Sequence, residues 1–238
     1  MLYFYYNSYM KILGLEKVSL VDFDGHICAT IFTGGCNFRC PFCHNSDLVN
    51  IKHVAEYSEK EIFEYLDKRK NMLDSVCVSG GEPTLQPDLP EFIAKLKARG
   101  FLVKLDSNGT NFKMLKKLID EKLIDYVAMD IKNSLEGYPA IVGTQNVNYE
   151  NIKKSVALLK ENKVPYEFRT TLVKGFHNEK NMEEIASYLA GSEKLYLQKF
   201  VDSGNCIEGN LAEIDILTAQ KFQKILQKKI KHVSLRGY

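Results

Sequence analysis

A chain of 238 residues with 32 basic and 30 acidic side chains, net +2 at pH 7, has neither the basic face of a nucleic-acid binder nor the charge excess of a disordered tail. Its apolar residues, 45% of the total, are spread along the whole length, enough for one core of α/β-barrel size. No apolar run is long enough to span a bilayer, and the Tyr-rich start lacks the marks of a signal peptide, so a cytoplasmic protein without membrane or nucleic-acid partners is expected.

In chain order, residues 1–13, with Tyr3, Phe4, Tyr5, Tyr6 and Tyr9, are expected to be an N-terminal extension; an upstream start codon leaving a tail ahead of Met10 is the simplest account. Residues 14–238 are expected to form one domain, because no linker, low-complexity tract or short repeat divides them. A first strand is predicted at Cys28–Thr33, followed by a helix on Ile62, Phe63 and Leu66 that opens with the Ser58/Glu61 capping pattern. A strand at Ser75–Ser79 leads to a helix on Phe92, Ile93 and Leu96, started at Asp88 with Pro90 in its first turn and closed by Gly100. Strands follow at Phe101–Leu105, Tyr126–Ile131, Tyr166–Leu172 and Lys194–Phe200. Between and after them helical spacing recurs at Met114, Leu115, Leu118; at Ile152, Val156, Leu159; at Met182, Ile185, Leu189; and at Phe222, Ile225, Leu226. Six strands, each followed by a helix, predict a parallel sheet with right-handed crossovers: an α/β fold in the form of a partial (β/α)6 barrel.

In such folds the site gathers at the carboxyl ends of the strands, and the polar motifs of this chain fall there. Cys36, Cys40 and Cys43 follow the first strand, Gly80-Gly81-Glu82-Pro83 the second, Asp106-Ser107-Asn108-Gly109 the third, and Asp130 with Lys132 ends the fourth. Six cysteines in a reducing cytosol are unsuited to disulfides, and three within eight residues read as metal ligands. Three thiolates on one short loop can hold an iron–sulfur cubane and leave its fourth iron open to a substrate. The alternative is a structural zinc site completed by His44, which directly follows Cys43 and would struggle to reach the same ion. Cys28 and Cys77, inside strands, read as buried apolar residues, and Cys206 as an incidental thiol. His26, His53, His177 and His232 read as ordinary surface or packed histidines.

At the three cysteines the chain resembles the radical S-adenosylmethionine superfamily, and Cys43-His44-Asn45 resembles its glycyl-radical-enzyme activases. The resemblance runs from about Gly14 to Phe200. With Leu15–Asp24 and Phe32-Thr33-Gly34-Gly35 it is most similar to the activating proteins of anaerobic ribonucleoside-triphosphate reductase. This resemblance implies a [4Fe-4S] cluster on Cys36, Cys40 and Cys43 whose open iron binds the amino and carboxylate groups of S-adenosylmethionine. An electron from a flavodoxin- or ferredoxin-type donor then breaks a carbon–sulfur bond and yields a 5′-deoxyadenosyl radical. It also implies that the backbone of Ser79-Gly80-Gly81-Glu82-Pro83 approaches the methionine moiety, with Glu82 helping to hold that loop.

By similarity to pyruvate formate-lyase activases, Asp106, Ser107, the backbone oxygen of Ala128, and Asp130 would hold Na+ or K+ against the cofactor carboxylate, a role Lys132 could share. Where those activases place a histidine near the adenine, this chain has about Val201, so adenine recognition would fall to Gln198 and Phe200. Arg169 would face the substrate or a carboxylate. The function so implied is formation of a glycyl radical on a partner enzyme, anaerobic ribonucleotide reductase first. A pyruvate formate-lyase-type partner, a small-molecule substrate such as a deazapurine precursor, and a non-catalytic zinc domain are the competing readings.

Overall fold

Eight strands lie in one sheet in simple sequence order in the computed structural model, which describes residues 10–50, 57–145, 147–202 and 204–238. β1 (Ile12–Ser19) runs antiparallel to β2 (Cys28–Thr33). From β2 the sheet continues in parallel through β3 (Ser75–Gly80), β4 (Leu102–Ser107), β5 (Tyr126–Asp130), β6 (Tyr166–Leu172), β7 (Lys194–Lys199) and β8 (His232–Arg236). The helices are α1 (Ser46–Asn50), α2 (Glu59–Arg69), α3 (Leu89–Ala98), α4 (Phe112–Asp120), α5 (Tyr138–Val142), α6 (Tyr149–Lys160), α7 (Glu179–Tyr188) and α8 (Ile216–Leu226). The six longer ones follow the six strands β2 to β7, while the two five-residue helices lie in loops after β2 and β5. No helix among the described residues is long and apolar enough to cross a membrane.

All six expected strands are present, Cys28–Thr33 and Tyr166–Leu172 to the residue. Two more frame them, β1 and β8. The domain boundary expected after residue 13 therefore falls inside β1: Met10, Ile12 and Leu13 are buried, and the Met10 N–H donates to Asp88 Oδ2 at 2.5 Å. Asp88 is thus spent on β1 and makes no side-chain cap on α3, contrary to its sequence pattern. The Ser58/Glu61 box does form: Ser58 Oγ accepts from the Glu61 N–H, and the Glu61 carboxylate accepts from the Ser58 N–H at 2.8 Å. Tyr3, Phe4, Tyr5, Tyr6, Tyr9 and His53 lie outside the described residues.

Period-two alternation decides where the chemistry goes. Val76, Val78, Val103, Leu105, Val127 and Met129 join the main apolar core with the helix stripes Ile62, Phe63, Leu66 and Leu115, Leu118, Ile119. The intervening residues turn to the other face. Low on that face Cys28 and Cys77 pack on Phe23, as buried thiols should, and higher up stand Ser79, Asp106, Asp130, Arg169 and Gln198.

The β1–β2 turn closes the lower end of this face. Phe23 sits 5.6 Å from the Tyr126 ring, Asp22 accepts from Thr30 Oγ1 at 2.6 Å, and the Asp22 carbonyl accepts from Lys104 Nζ. Asp24 reaches the far edge strand: Arg236 Nη2 lies 3.1 Å from its carboxylate, and the Arg236 guanidinium stacks 3.9 Å over the Tyr196 ring. The same guanidinium stands 3.5 Å from the buried Glu167 carboxylate. A side-chain clasp, without ladder pairing, therefore joins the two edges of the sheet.

Candidate active site

The loop after β2 is held from every side by backbone. The Gly34 N–H donates to Lys11 O at 2.9 Å, the Gly35 N–H to Leu48 O at 2.8 Å, and Gln86 Nε2 to Gly34 O at 2.8 Å. Further on, the Arg39 N–H donates to Val142 O at 2.8 Å, so the end of α5 grips the middle of the loop. Asn108 Nδ2 donates to Asn37 Oδ1, and Asn37 Nδ2 to Thr110 Oγ1, each at 2.8 Å. Asn45 Nδ2 donates to Gly80 O at 3.3 Å. So fixed, Cys36, Cys40 and Cys43 all line one cavity of about 390 Å³.

The glycine motif does its work against this loop. A Cβ on Gly80 would come within 2.3 Å of Thr33 N, and one on Gly81 within 2.0 Å of Gly35 O. The Gly81 N–H donates to Thr33 O and the Glu82 N–H to Gly35 O, both at 2.8 Å. Glycine is required here by backbone packed on backbone, and Gly80 and Gly81 also line the cavity where the motif's ligand approach was expected. Glu82 is buried and its carboxylate accepts from the Thr84 N–H (3.1 Å), Thr84 Oγ1, Ser107 Oγ (2.8 Å) and the Asn108 N–H (2.6 Å). It braces the loop after β3 to the loop after β4. Ser107, with its hydroxyl on Glu82, belongs to that brace.

The charged centre differs from the expected cation site. Arg169 on β6 lies between the two carboxylates, Nε 3.0 Å from Asp130 Oδ1 and Nη1 3.2 Å from Asp106 Oδ2. Lys132 Nζ is 2.8 Å from Asp130 Oδ2, and Lys104 Nζ 3.3 Å from Asp106 Oδ1. Burial would raise both acids, but Arg169, with Lys104 at Asp106 and Lys132 at Asp130, holds Asp106 below its ordinary range and Asp130 down at about 2. Ala128 is buried opposite Asp106 in the register, with its neighbours' side chains already neutralised. The carboxylates expected to hold Na+ or K+ are thus each paired with side-chain cations.

The thiols fit an iron–sulfur cluster. Burial, with Glu82 nearby, pushes Cys36 up to about 12; burial pushes Cys40 up to about 11 in spite of Lys132, and Cys43 upward as well. Such thiols ionise on binding a metal, and soft sulfur is what iron–sulfur clusters take. Among the described residues no three His, Cys, Asp or Glu side chains stand close enough to hold a single metal ion. Three thiols on one short loop that open on one cavity suit an iron–sulfur cubane with its fourth iron left to a ligand. His44, the fourth ligand in the zinc reading, stacks on Phe200 with ring centroids 5.6 Å apart.

Gln198 lines the cavity wall, whereas Phe200 is only 1% exposed beneath His44, so the aromatic face turned to the cavity at that point is the His44 ring. Val201 lies outside the lining and is 59% exposed. His177 is packed, as its sequence context suggested, yet it touches the site. Its Nδ1 accepts from the Val173 N–H at 3.1 Å, which leaves Nε2–H to donate to Lys132 O at 2.9 Å. No sequence signal announced that tie, whereas Arg169 does face a carboxylate, as expected, and in fact bridges two. A larger but more open depression between Leu135 and Lys153 contains none of the cysteine, glycine or aspartate motifs.

A model of the radical SAM superfamily matches residues 30–189. A protein of Methanocaldococcus jannaschii, provisionally named a glycyl-radical enzyme activating enzyme, is 38% identical over 197 residues, 80% of this chain and 81% of the relative. The pyruvate formate-lyase-activating enzyme of Clostridium pasteurianum is 32% identical over 152 residues, 61% of this chain and 63% of its own length. In fold, the crystal structure of Streptococcus suis SuiB bound to S-adenosylmethionine matches with a TM-score of 0.66 at 15% identity, over 85% of this chain and 48% of that one.

Proposed function

Since the chain belongs to the radical S-adenosylmethionine superfamily, and within it to the enzymes that activate glycyl-radical enzymes, we propose that Cys36, Cys40 and Cys43 carry its [4Fe-4S] cluster and that the cavity beside them takes S-adenosylmethionine. The observation that supports this most is the meeting of three thiols, one buried and two half-buried, with the Asp130, Lys132 and Arg169 charges in one cavity. When bound, the cluster supplies the single electron that cleaves the cofactor, chemistry that no side chain of this chain can perform.

The chain's own share is position and shelter. The backbone-clamped loop presents three thiolates at fixed spacing, and Phe38 and Phe42, buried beside them, keep water from that side. The Gln198 amide offers both a donor and an acceptor to an adenine edge on the opposite wall.

The partner in this proposal is a glycyl-radical enzyme, anaerobic ribonucleoside-triphosphate reductase, with a flavodoxin- or ferredoxin-type electron donor. A hydrogen can be taken only from a carbon held nearly in contact with the reacting group, and glycine lets a protein segment make that approach. The likeness to the Clostridium pasteurianum enzyme favours pyruvate formate-lyase as a second partner to test.

The reduced protein, given S-adenosylmethionine and the matching reductase, is expected to release 5′-deoxyadenosine and leave a doublet in the electron paramagnetic resonance spectrum of the reductase. If reductase and lyase both stay radical-free while a small metabolite such as a deazapurine precursor is consumed in step with deoxyadenosine, the protein-partner reading is wrong. For the ligands, replacing Cys36, Cys40 or Cys43 by Ala is expected to abolish the four-iron cluster, and replacing Cys28, Cys77 or Cys206 by Ser to leave it intact. A full iron complement in Cys40→Ala would overturn the assignment.

A further inference from the structure

Asp106 and Asp130 end adjacent parallel strands and by themselves would make a seat for a metal cation. In this chain each of their four oxygens already faces a cationic nitrogen. Asp130 Oδ1 meets Arg169 Nε at 3.0 Å and Asp130 Oδ2 meets Lys132 Nζ at 2.8 Å. Asp106 Oδ2 meets Arg169 Nη1 at 3.2 Å and also accepts from Ser79 Oγ at 3.0 Å. Asp106 Oδ1 pairs with Lys104 Nζ at 3.3 Å, an ion pair without hydrogen-bond geometry.

Lys104 is buried low, with its ammonium also on the Asp22 carbonyl, so of the three cations only Lys132 and Arg169 line the cavity. Those two also keep donors in hand. The carboxylates engage Nε and Nη1 of Arg169 and leave Nη2, and the Lys132 ammonium spends one of its three N–H groups on Asp130. Unspent donors on two cations that face the same cavity suit a carboxylate ligand.

We propose that Arg169 and Lys132 replace a bound alkali ion in this chain: they receive the carboxylate of the methionine moiety of S-adenosylmethionine, and cofactor binding is indifferent to Na+ and K+. This rests on the reading of the cavity given under Proposed function. Arg169 reaches this place because β6 pairs with β5 in a register that sets it opposite Asp130, and its planar fork then spans to the next strand end. A lysine at 169 could not bridge both acids in the same way.

The test is equilibrium binding of radiolabelled S-adenosylmethionine to the anaerobically reconstituted protein with its cluster oxidised, in tetramethylammonium, sodium or potassium chloride at matched ionic strength. The dissociation constant of the unaltered protein is expected to agree within threefold across the three salts. In Arg169→Ser it is expected to weaken at least tenfold in tetramethylammonium and to recover in Na+ or K+, which the vacated carboxylates can then hold. Lys132→Met, a milder change for the fold, is expected to weaken binding at least fivefold in every salt with no loss of iron.

More than threefold tightening of the unaltered protein by either alkali ion overturns the proposal, as does undiminished binding in Lys132→Met or in Arg169→Ser under tetramethylammonium. If the cluster assembles but the cofactor binds in no salt, the reading of the cavity falls and this proposal with it. Binding that demands an alkali ion sinks this proposal alone.

Discussion

Glu82 lines the cavity with its carboxylate held in four hydrogen bonds. Burial raises its pKa, and the donors from Thr84, Ser107 and Asn108 work against that rise. Gln at this position would set an amide NH2 against one of the backbone N–H groups it now accepts from. Glu82→Gln is therefore expected to lower the unfolding free energy by about 2 kcal/mol, the range for hydrogen bonds to charged groups, in urea titration. An unmoved midpoint would remove the brace from the account of the site. His177 makes a second prediction with a definite sign. Burial lowers its pKa below 6.5 in the folded protein, outweighing the two backbone contacts that act the other way. The unfolded chain thus binds the proton more readily, and the contribution of His177 is complete above about 6.5 and lost as pH falls below it. The unaltered protein should lose more stability between pH 7 and pH 5 than His177→Gln does; parallel curves would show that the ring is not held neutral.

Six strands were legible because each is a short apolar run bounded by turn residues, and a parallel strand covered by helices needs to be one. β1 and β8 escaped notice for the converse reason. They are sheet edges, and Leu15-Glu16-Lys17-Val18 and His232-Val233-Ser234-Leu235-Arg236 carry the polar residues that an edge tolerates. At the site, the motifs were readable as places on the rim, since sequence order alone puts each after its strand. What each residue touches was not. The Arg169 bridge depends on the register of β6 on β5, which joins residues 39 positions apart and leaves no local trace. The glycines were read as making room for a ligand; they do line the cavity, and in the fold they also make room for the cysteine loop. That second role can be checked: Gly81→Ala is expected to displace the loop and reduce iron content after reconstitution. Gly100→Ala, at φ +87° with open space around its Cβ, should cost only about 1–2 kcal/mol of strain and keep its iron. Equal iron in the two variants would contradict the docking of glycine motif on cysteine loop.

Among the described residues β1 and β8 are the edge strands of the sheet, and the clasp from Asp24 to Arg236 joins the β1–β2 turn to β8 beneath the cavity. That contact spans 212 positions of the chain. Closing so long a loop is entropically the dearest step available to this topology unless the intervening strands have already paired, each parallel neighbour shortening the remaining gap. The clasp therefore belongs to the native side of the folding barrier. Arg236→Met, which deprives Glu167 and Asp24 of their cation, should speed unfolding and leave the refolding rate nearly unchanged, a φ-value close to zero. Refolding that slows in proportion to the lost stability would place the clasp in the nucleus instead. On the ribosome the same order means that the cysteine loop and its neighbouring strands emerge and can pair long before β8 does. A nascent chain thus carries its cysteine loop and glycine motif early and gains Arg169 and Gln198 late, and the clasp beneath them forms only when the last strand arrives.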